Sequence, residues 1–159
     1  MNFLFLLLLL NKEMIPLSSS AFSNMGDIPS KYTCEGKSIN PPLTIGAVPA
    51  DTKSLVLIID DPDADKGVFD HWVVYNIPPA IKAIAENSKP GTQGKNGKGE
   101  SAYTGPCPPT GKHHYYIKVY AIDRMLDLKG GASKKDVQSA IDGHILGEGE
   151  LVGMYEKGK

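Results

Sequence analysis

Two polar clusters in the sequence hold side chains that could bind an anion or transfer a proton. The first consists of three aspartates and a histidine one short loop later: Asp60, Asp61, Asp63 and His71. The second is GPCPPTGKHHY at positions 105–115, where two adjacent histidines follow a proline-rich turn. Imidazoles titrate near neutral pH, and nearby carboxylates orient them and tune their protonation. The residue types therefore suit recognition of a phosphoryl or carboxylate group, or general-base chemistry.

Fixed-spacing motifs for other chemistries are missing or incomplete. Gly105 and Gly111 enclose five residues, one more than a P-loop has, and His113 stands where that motif has Ser or Thr. The sequence has no zinc-ligand spacing and no G-x-S-x-G elbow. Cys107 lies between two prolines, which suit a rigid wall better than an activated thiolate. We therefore expect no metal and no cofactor, and the pattern favours a binding pocket over a catalytic triad.

The proline-rich stretch has the properties of a pocket wall. Proline fixes its backbone dihedral angle, so the loop loses little entropy when a ligand binds, and glycine lets a ligand approach the backbone closely. Arg124 is the only arginine in the chain. A bound anion would therefore rely on histidine, lysine or backbone N–H groups elsewhere in the chain.

Size and charge indicate one globular domain. The chain has 159 residues, 41% of them hydrophobic, and a formal net charge of -1. This length suffices for a hydrophobic core, and the weak net charge gives no field that would attract nucleic acid. Residues 1–13 contain an apolar run, Phe3 to Leu10, which is either a leader or a mis-called start. We expect residues 14–159 to form the single domain, in the cytoplasm, or in a secreted or periplasmic location if the leader is a signal peptide.

The elements that would position the two clusters are mostly strands. SLVLIID, residues 54–60, predicts a buried central strand, and HWVVYNI, residues 71–77, predicts its neighbour. HYYIKVYAID alternates, so Tyr115, Ile117, Val119 and Ala121 should share one face. SKKDVQSAIDGH predicts a helix capped by Ser133, and ELVGMYEK predicts a last strand. Glu86 to Ser101 has no apolar residue, which predicts a long, exposed and mobile loop.

The two cysteines, Cys34 and Cys107, allow two interpretations. They could be two separate buried thiols, or one long-range disulfide between the KYTCEG loop and the proline-rich loop. The sequence leaves both interpretations open.

Four ordered segments resemble the phosphatidylethanolamine-binding protein family, also called Raf kinase inhibitor-like proteins, and most closely its prokaryotic branch. They are SSAFSNMGDIPSKYTCEG, TKSLVLIIDDPDA followed by HWVVYNIPP, GPCPPTGKHHY, and GHILGEGELVGMY, which together span about Ser20 to Tyr155. The resemblance implies a mainly β fold: an antiparallel, β-sandwich-like core with a Greek key and a few peripheral helices.

The resemblance also implies a pocket for an anionic ligand. Matched motif by motif, it assigns eight ligand-binding positions: Asp61, Asp63, His71, Gly105, Pro108, Pro109, His113 and Tyr115. His113 should face the pocket, while His114 takes the place of an arginine on the other side of the strand. Asp65 stands where the family has a proline, and we expect a trans Ala64–Asp65 bond and a reshaped rim there.

Together these features predict a small ligand-binding protein that is not an enzyme. Its ligand would be a small anionic or phosphorylated molecule, and a protein kinase or protease would be its regulated partner, as the family's inhibitor-like members suggest. Contact with membrane headgroups is compatible with this prediction, without embedding in the bilayer. The alternative is a hydrolase acting on a phosphoester or small acyl substrate, with His71 as general base and Asp61 as its orienting carboxylate.

Overall fold

The computed structural model describes residues 11–158, and these form a mainly β protein. The described part has one α-helix, α1 (Lys134–Ile141), and one 3₁₀ turn, Ser30–Tyr32. It also has ten strands: β1 (Glu13–Met14), β2 (Leu17–Ser18), β3 (Gly26–Asp27), β4 (Leu43–Ile45), β5 (Ser54–Asp61), β6 (Phe69–Ile77), β7 (Ala83–Ile84), β8 (Thr92–Gln93), β9 (His113–Ile122) and β10 (Ile145–Tyr155). The mainly β fold class predicted from the sequence is confirmed.

Four long strands build the main sheet. Their order is β10-β9-β5-β6, with short β1 and β3 on β10 and short β8 on β6. The long strands pair antiparallel, whereas β1 and β3 pair parallel to β10. A second sheet of three short strands has the order β2-β4-β7. The described chain therefore contains one mixed sheet and one antiparallel sheet.

The larger hydrophobic core lies between the two sheets. It joins Leu43 and Ile84 of the small sheet to Leu57, Ile117 and other residues of the long strands. Successive side chains of a strand point to opposite faces. Tyr115, Ile117, Val119 and Ala121 accordingly share this core, as their alternation in the sequence predicts.

A second core on the opposite face of the main sheet lies under α1. Val137 and Ile141 of the helix pack there with Val56 and Val73 of the sheet. Since both faces of β5 are covered, all eight of its residues are buried, in agreement with its continuous apolar sequence.

The helix is held by a cap at its start and by ion pairs to the sheet. The Ser133 side chain accepts a hydrogen bond from the Asp136 N–H, so the predicted cap is confirmed. The Lys134 ammonium lies 3.3 Å from Asp60 and 2.5 Å from Asp70. These contacts attach α1 to the carboxylates of β5 and β6.

The segment from Glu86 to Ser101 is mostly exposed, but it is more ordered by backbone pairing than its composition predicts. Residues of β8 pair with β6, and Gly94 and Gly97 donate backbone hydrogen bonds to Val73 and Asp70. Asn96 is buried, and its side chain bonds backbone groups of residues 98, 100 and 102. Backbone pairing to β6, which needs no apolar side chain, anchors the middle of the segment. Most of its residues are exposed, as its composition predicts, and its mobility stays a prediction.

The N-terminal part of the described chain joins both sheets. Glu13 and Met14 pair with β10, and Ile15, only 1% exposed, belongs to the larger core. The apolar run Phe3 to Leu10, predicted as a leader or a mis-called start, lies outside the described residues. Within residues 11–158, no helix is both long enough and apolar enough to cross a membrane.

Candidate functional site

A cavity of about 370 Å³ lies where three long strands meet at one edge of the main sheet. β5 ends there and β6 and β9 begin there, since Asp61 pairs with Phe69 and β9 runs antiparallel to β5. Both polar clusters predicted from the sequence contribute to its lining, which comprises Asp61, Ala64, Asp65, Lys66, Phe69, His71, Lys98, Thr104, Gly105, Cys107, Pro108, Pro109 and His113.

His71 is a buried imidazole with one nitrogen already occupied. Its Nδ1 lies 2.8 Å from the Thr104 carbonyl oxygen. A carbonyl can only accept, so Nδ1 carries the proton and donates it. Burial lowers the pKa of His71 below its ordinary value, and the bond to Thr104 opposes that shift only in part. The neutral ring therefore leaves Nε2 as its remaining polar atom, with a lone pair.

His113 forms a buried pair with Asp61. The Nδ1 of His113 lies 2.7 Å from an Asp61 carboxylate oxygen, and the other oxygen accepts the Asp63 backbone N–H. In the hydrolase alternative predicted from the sequence, His71 is the general base and Asp61 is the carboxylate that orients it. That pairing was wrong, because the Thr104 carbonyl occupies the His71 nitrogen and His113 occupies the carboxylate.

Asp63 does not line the cavity. Its carboxylate accepts two hydrogen bonds from His114, one from the backbone N–H at 2.8 Å and one from Nδ1 at 2.7 Å. These bonds hold the pKa of Asp63 below its ordinary value. The Asp63 side chain thus lies outside the cavity lining, and its predicted ligand contact stays a prediction.

Tyr115 lies beneath the cavity and does not line it. The ring is 1% exposed and packs edge-on against His71, with ring centroids 5.2 Å apart. Its hydroxyl is buried and makes no hydrogen bond within the described part of the chain. Burial raises the pKa of Tyr115 well above its ordinary value. In the structure Tyr115 is connected to the cavity through the His71 ring, and its predicted ligand contact stays a prediction.

The proline-rich loop forms one wall of the cavity, as its composition predicts. Pro108, Pro109 and Gly105 all line the cavity. The Gly105 N–H donates to the Ser38 hydroxyl at 2.9 Å, so it is not available to a ligand. A Cβ at Gly105 would lie 2.7 Å from the Tyr32 carbonyl oxygen, which explains the glycine by close packing against the neighbouring loop.

A disulfide joins this wall to the loop beside it. Cys34 and Cys107 are bonded, with their Cα atoms 5.4 Å apart. The sequence left open whether the two cysteines are separate thiols or form a disulfide, and the structure contains the disulfide. Both cysteines are exposed, and Cys107 lines the cavity. Cys107 is therefore not a free thiolate that could act as a nucleophile.

The family of the chain follows from the extent of a sequence match. The family model described as phosphatidylethanolamine-binding protein matches residues 18–156. The chain belongs to the phosphatidylethanolamine-binding protein family. A UPF0098 protein from Methanothermobacter thermautotrophicus is 48% identical over 149 residues, which cover 89% of this chain and 99% of that protein. A UPF0098 protein from Chlamydia trachomatis is 45% identical over 147 residues, with coverage of 89% and 98%.

Solved structures of phosphatidylethanolamine-binding protein homologues have the same fold. A crystal structure of such a homologue from Chlamydia trachomatis superposes with a TM-score of 0.88 at 43% identity, covering 92% of this chain and 99% of that one. YbcL from E. coli, described as a member of the mammalian family, superposes with a TM-score of 0.83 at 27% identity, covering 89% and 98%.

The cavity lining includes residues that were not predicted as site residues from the sequence, among them Lys66, Phe69, Lys98 and Thr104. Lys66 and Lys98 bring positive charge to the lining, Phe69 contributes an aromatic wall and Thr104 holds His71. Lys98 lies in the segment from Glu86 to Ser101, which the sequence predicted as a long exposed loop. Phe69 precedes the predicted start of β6 by two residues, and its alternation with His71 was the one signal that could have found it.

The Ala64–Asp65 peptide bond at the rim is trans, as expected where this sequence has no proline. No peptide bond in residues 11–158 is cis. The same residues hold no cluster of His, Cys, Asp and Glu that could bind a metal ion.

Proposed function

We propose that this protein binds a small anionic ligand of the phosphoryl type in the cavity at the edge of the main sheet. The observation that carries the proposal is the lining itself: two lysines and two imidazoles converge on a concave site with a stiff proline wall. Membership of a family of ligand-binding proteins supports it.

The charges of the cavity are compatible with an anion. Asp61 is buried, and both of its oxygens already accept hydrogen bonds from protein groups. Lys66 and Lys98 are exposed at the mouth, where their side chains can turn toward a ligand. Asp65 adds one exposed negative charge to the rim. The two ammonium groups therefore supply the attraction that the missing arginine would have supplied.

Titration calorimetry with inorganic phosphate tests the proposal. Lys98→Met should weaken binding about fivefold, which corresponds to ~1 kcal/mol for one solvated charge-assisted contact. Lys53→Met is the matched control, because Lys53 is an exposed lysine next to the far end of β5. Equal losses in the two variants would show a general charge effect, and absence of binding to the wild type would refute the proposal.

The proposed role is binding and not catalysis. The hydrolase alternative needs His71 and Asp61 to act as a pair, whereas each is bonded to a different group. Steady turnover of a phosphoester by the wild type, lost in His113→Ala, would favour a hydrolase built on His113 and Asp61 instead. A kinase or protease as the regulated partner stays a prediction.

A further inference from the structure

The inner wall of the cavity presents a hydrogen-bond acceptor at His71. The Nδ1–H of the ring donates to the Thr104 carbonyl, which leaves the lone pair of Nε2 unused by that contact. A fully deprotonated oxyanion has only acceptors, so it cannot make a hydrogen bond to this atom. A ligand that brings its own O–H can.

The polar N–H groups close to His71 are already committed to protein acceptors. The Thr104 N–H donates to the His71 carbonyl at 2.9 Å, and the Gly105 N–H donates to Ser38. The Asp63 N–H and the His113 Nδ1 both bond Asp61. These four N–H groups are therefore not available to a ligand, and the two lysines stand at the mouth.

The groups around His71 do not make it a cation in the free protein. They come from every side of the ring: Asp61 from β5, Asp70 from β6, Tyr115 from β9, and Lys98 and Thr104 from the segment between β8 and β9. Asp61 and Asp70 favour the imidazolium, but Asp61 is paired with His113 and Asp70 with Lys134. Lys98 and burial oppose it, and burial is the largest contribution to the lowered pKa of His71.

We infer that the cavity selects oxyanions that carry a proton, such as hydrogen phosphate, over oxyanions of the same charge that carry none, such as sulfate. The P–OH group donates to Nε2 of His71, and Lys66 and Lys98 bind the charged oxygens. The inference rests on the proposed function, because it names the class of anion that the same site takes.

Three dianions of similar size test this selectivity at about pH 8. Inorganic phosphate keeps one proton there, methyl phosphate has lost its last proton, and sulfate has none. The wild type should bind phosphate about 10- to 100-fold more tightly than either of the others, the range expected for one hydrogen bond to a charged ligand. Equal affinities for the three dianions would overturn the inference while leaving anion binding established. Failure of all three to bind would refute the proposed function instead.

Substitution of His71 by asparagine distinguishes the roles of the two ring nitrogens. The Asn amide N–H can take the place of Nδ1–H on Thr104, but the side chain ends before the position of Nε2. His71→Asn should therefore bring the three affinities to within about threefold of one another. His114→Asn makes the same change outside the cavity, on a ring bonded to Asp63, and should keep the selectivity. Selectivity that persists in His71→Asn would assign it to another group.

A measurement on the unmutated protein keeps the inference testable if His71→Asn does not fold. Nitrogen NMR of the His71 ring should show one protonated nitrogen and one bare lone pair in the free protein. Inorganic phosphate should shift the signal of the bare nitrogen toward a hydrogen-bonded value, and sulfate should not. A doubly protonated His71 ring in the phosphate complex would contradict the inference, because the ring would then be the donor.

Discussion

Removal of the Cys34–Cys107 disulfide should lower the free energy of unfolding by about 4 kcal/mol. The bond joins positions separated by 73 residues. For a loop of that length, the chain-entropy relation gives ~4 kcal/mol of stabilisation at 25 °C, arising from the restricted unfolded chain. The prediction therefore follows from the sequence distance that the bond closes.

Native contacts should survive the loss of the bond, so the effect belongs to the unfolded state. Three hydrogen bonds hold the same two loops together: Cys34 N–H to the Pro106 carbonyl at 3.1 Å, Gly105 N–H to Ser38 Oγ at 2.9 Å, and the Tyr103 hydroxyl to the Tyr32 carbonyl at 2.8 Å. Because these bonds remain, the cavity wall should keep its place at 25 °C.

Urea denaturation of three samples measures the effect: the oxidised wild type, the reduced wild type, and the double variant Cys34→Ala, Cys107→Ala. The reduced wild type and the variant should lose similar amounts, and the dependence on urea should steepen because the unfolded chain expands. Reductant should leave the variant unchanged, which is the control. A loss below ~1 kcal/mol would refute the reasoning, since it would mean that the unfolded chain keeps these loops close without the bond.

Three further predictions concern single side chains. Tyr115→Phe should leave stability within about 1 kcal/mol of the wild type, or raise it, because the buried hydroxyl has no hydrogen-bond partner among residues 11–158. A larger loss in urea denaturation would reveal a hidden partner such as a buried water. The lowered pKa of His71 means that its contribution to stability is complete above about pH 6.5 and is lost as the pH falls toward the pKa of the folded state. Stability measured from about pH 7 to 5 should therefore fall more steeply in the wild type than in His71→Asn, and parallel curves would contradict the buried neutral ring. Gly149→Ala should cost about 1–3 kcal/mol by forcing the Ile15 carbonyl away from β10, whereas Gly130→Ala, whose Cβ meets nothing closer than 3.9 Å, should be nearly neutral in the same assay.

Local periodicity predicted the long strands well. The continuous apolar run of β5 and the alternation of β9 identify strands because burial on two faces and side-chain alternation are properties of adjacent residues. β10 begins five residues before its predicted start, at Ile145, because Gly147, Glu148 and Gly149 carry no strand signal of their own. Pairing with β9 imposes the strand conformation on them.

The sequence by itself determined the family, the mainly β class and the two polar clusters of the site, because these are recorded in ordered motifs and in short-range patterns. Only the tertiary structure decided which groups of those clusters meet. Asp61 forms a hydrogen bond with His113 and not with His71, and Asp63 forms one with His114. Lys98 lines the cavity although it comes from a segment without apolar residues. The physical reason is that a hydrogen bond between residues 30 or 50 positions apart depends on strand register and loop path, and neither is visible in the residues themselves.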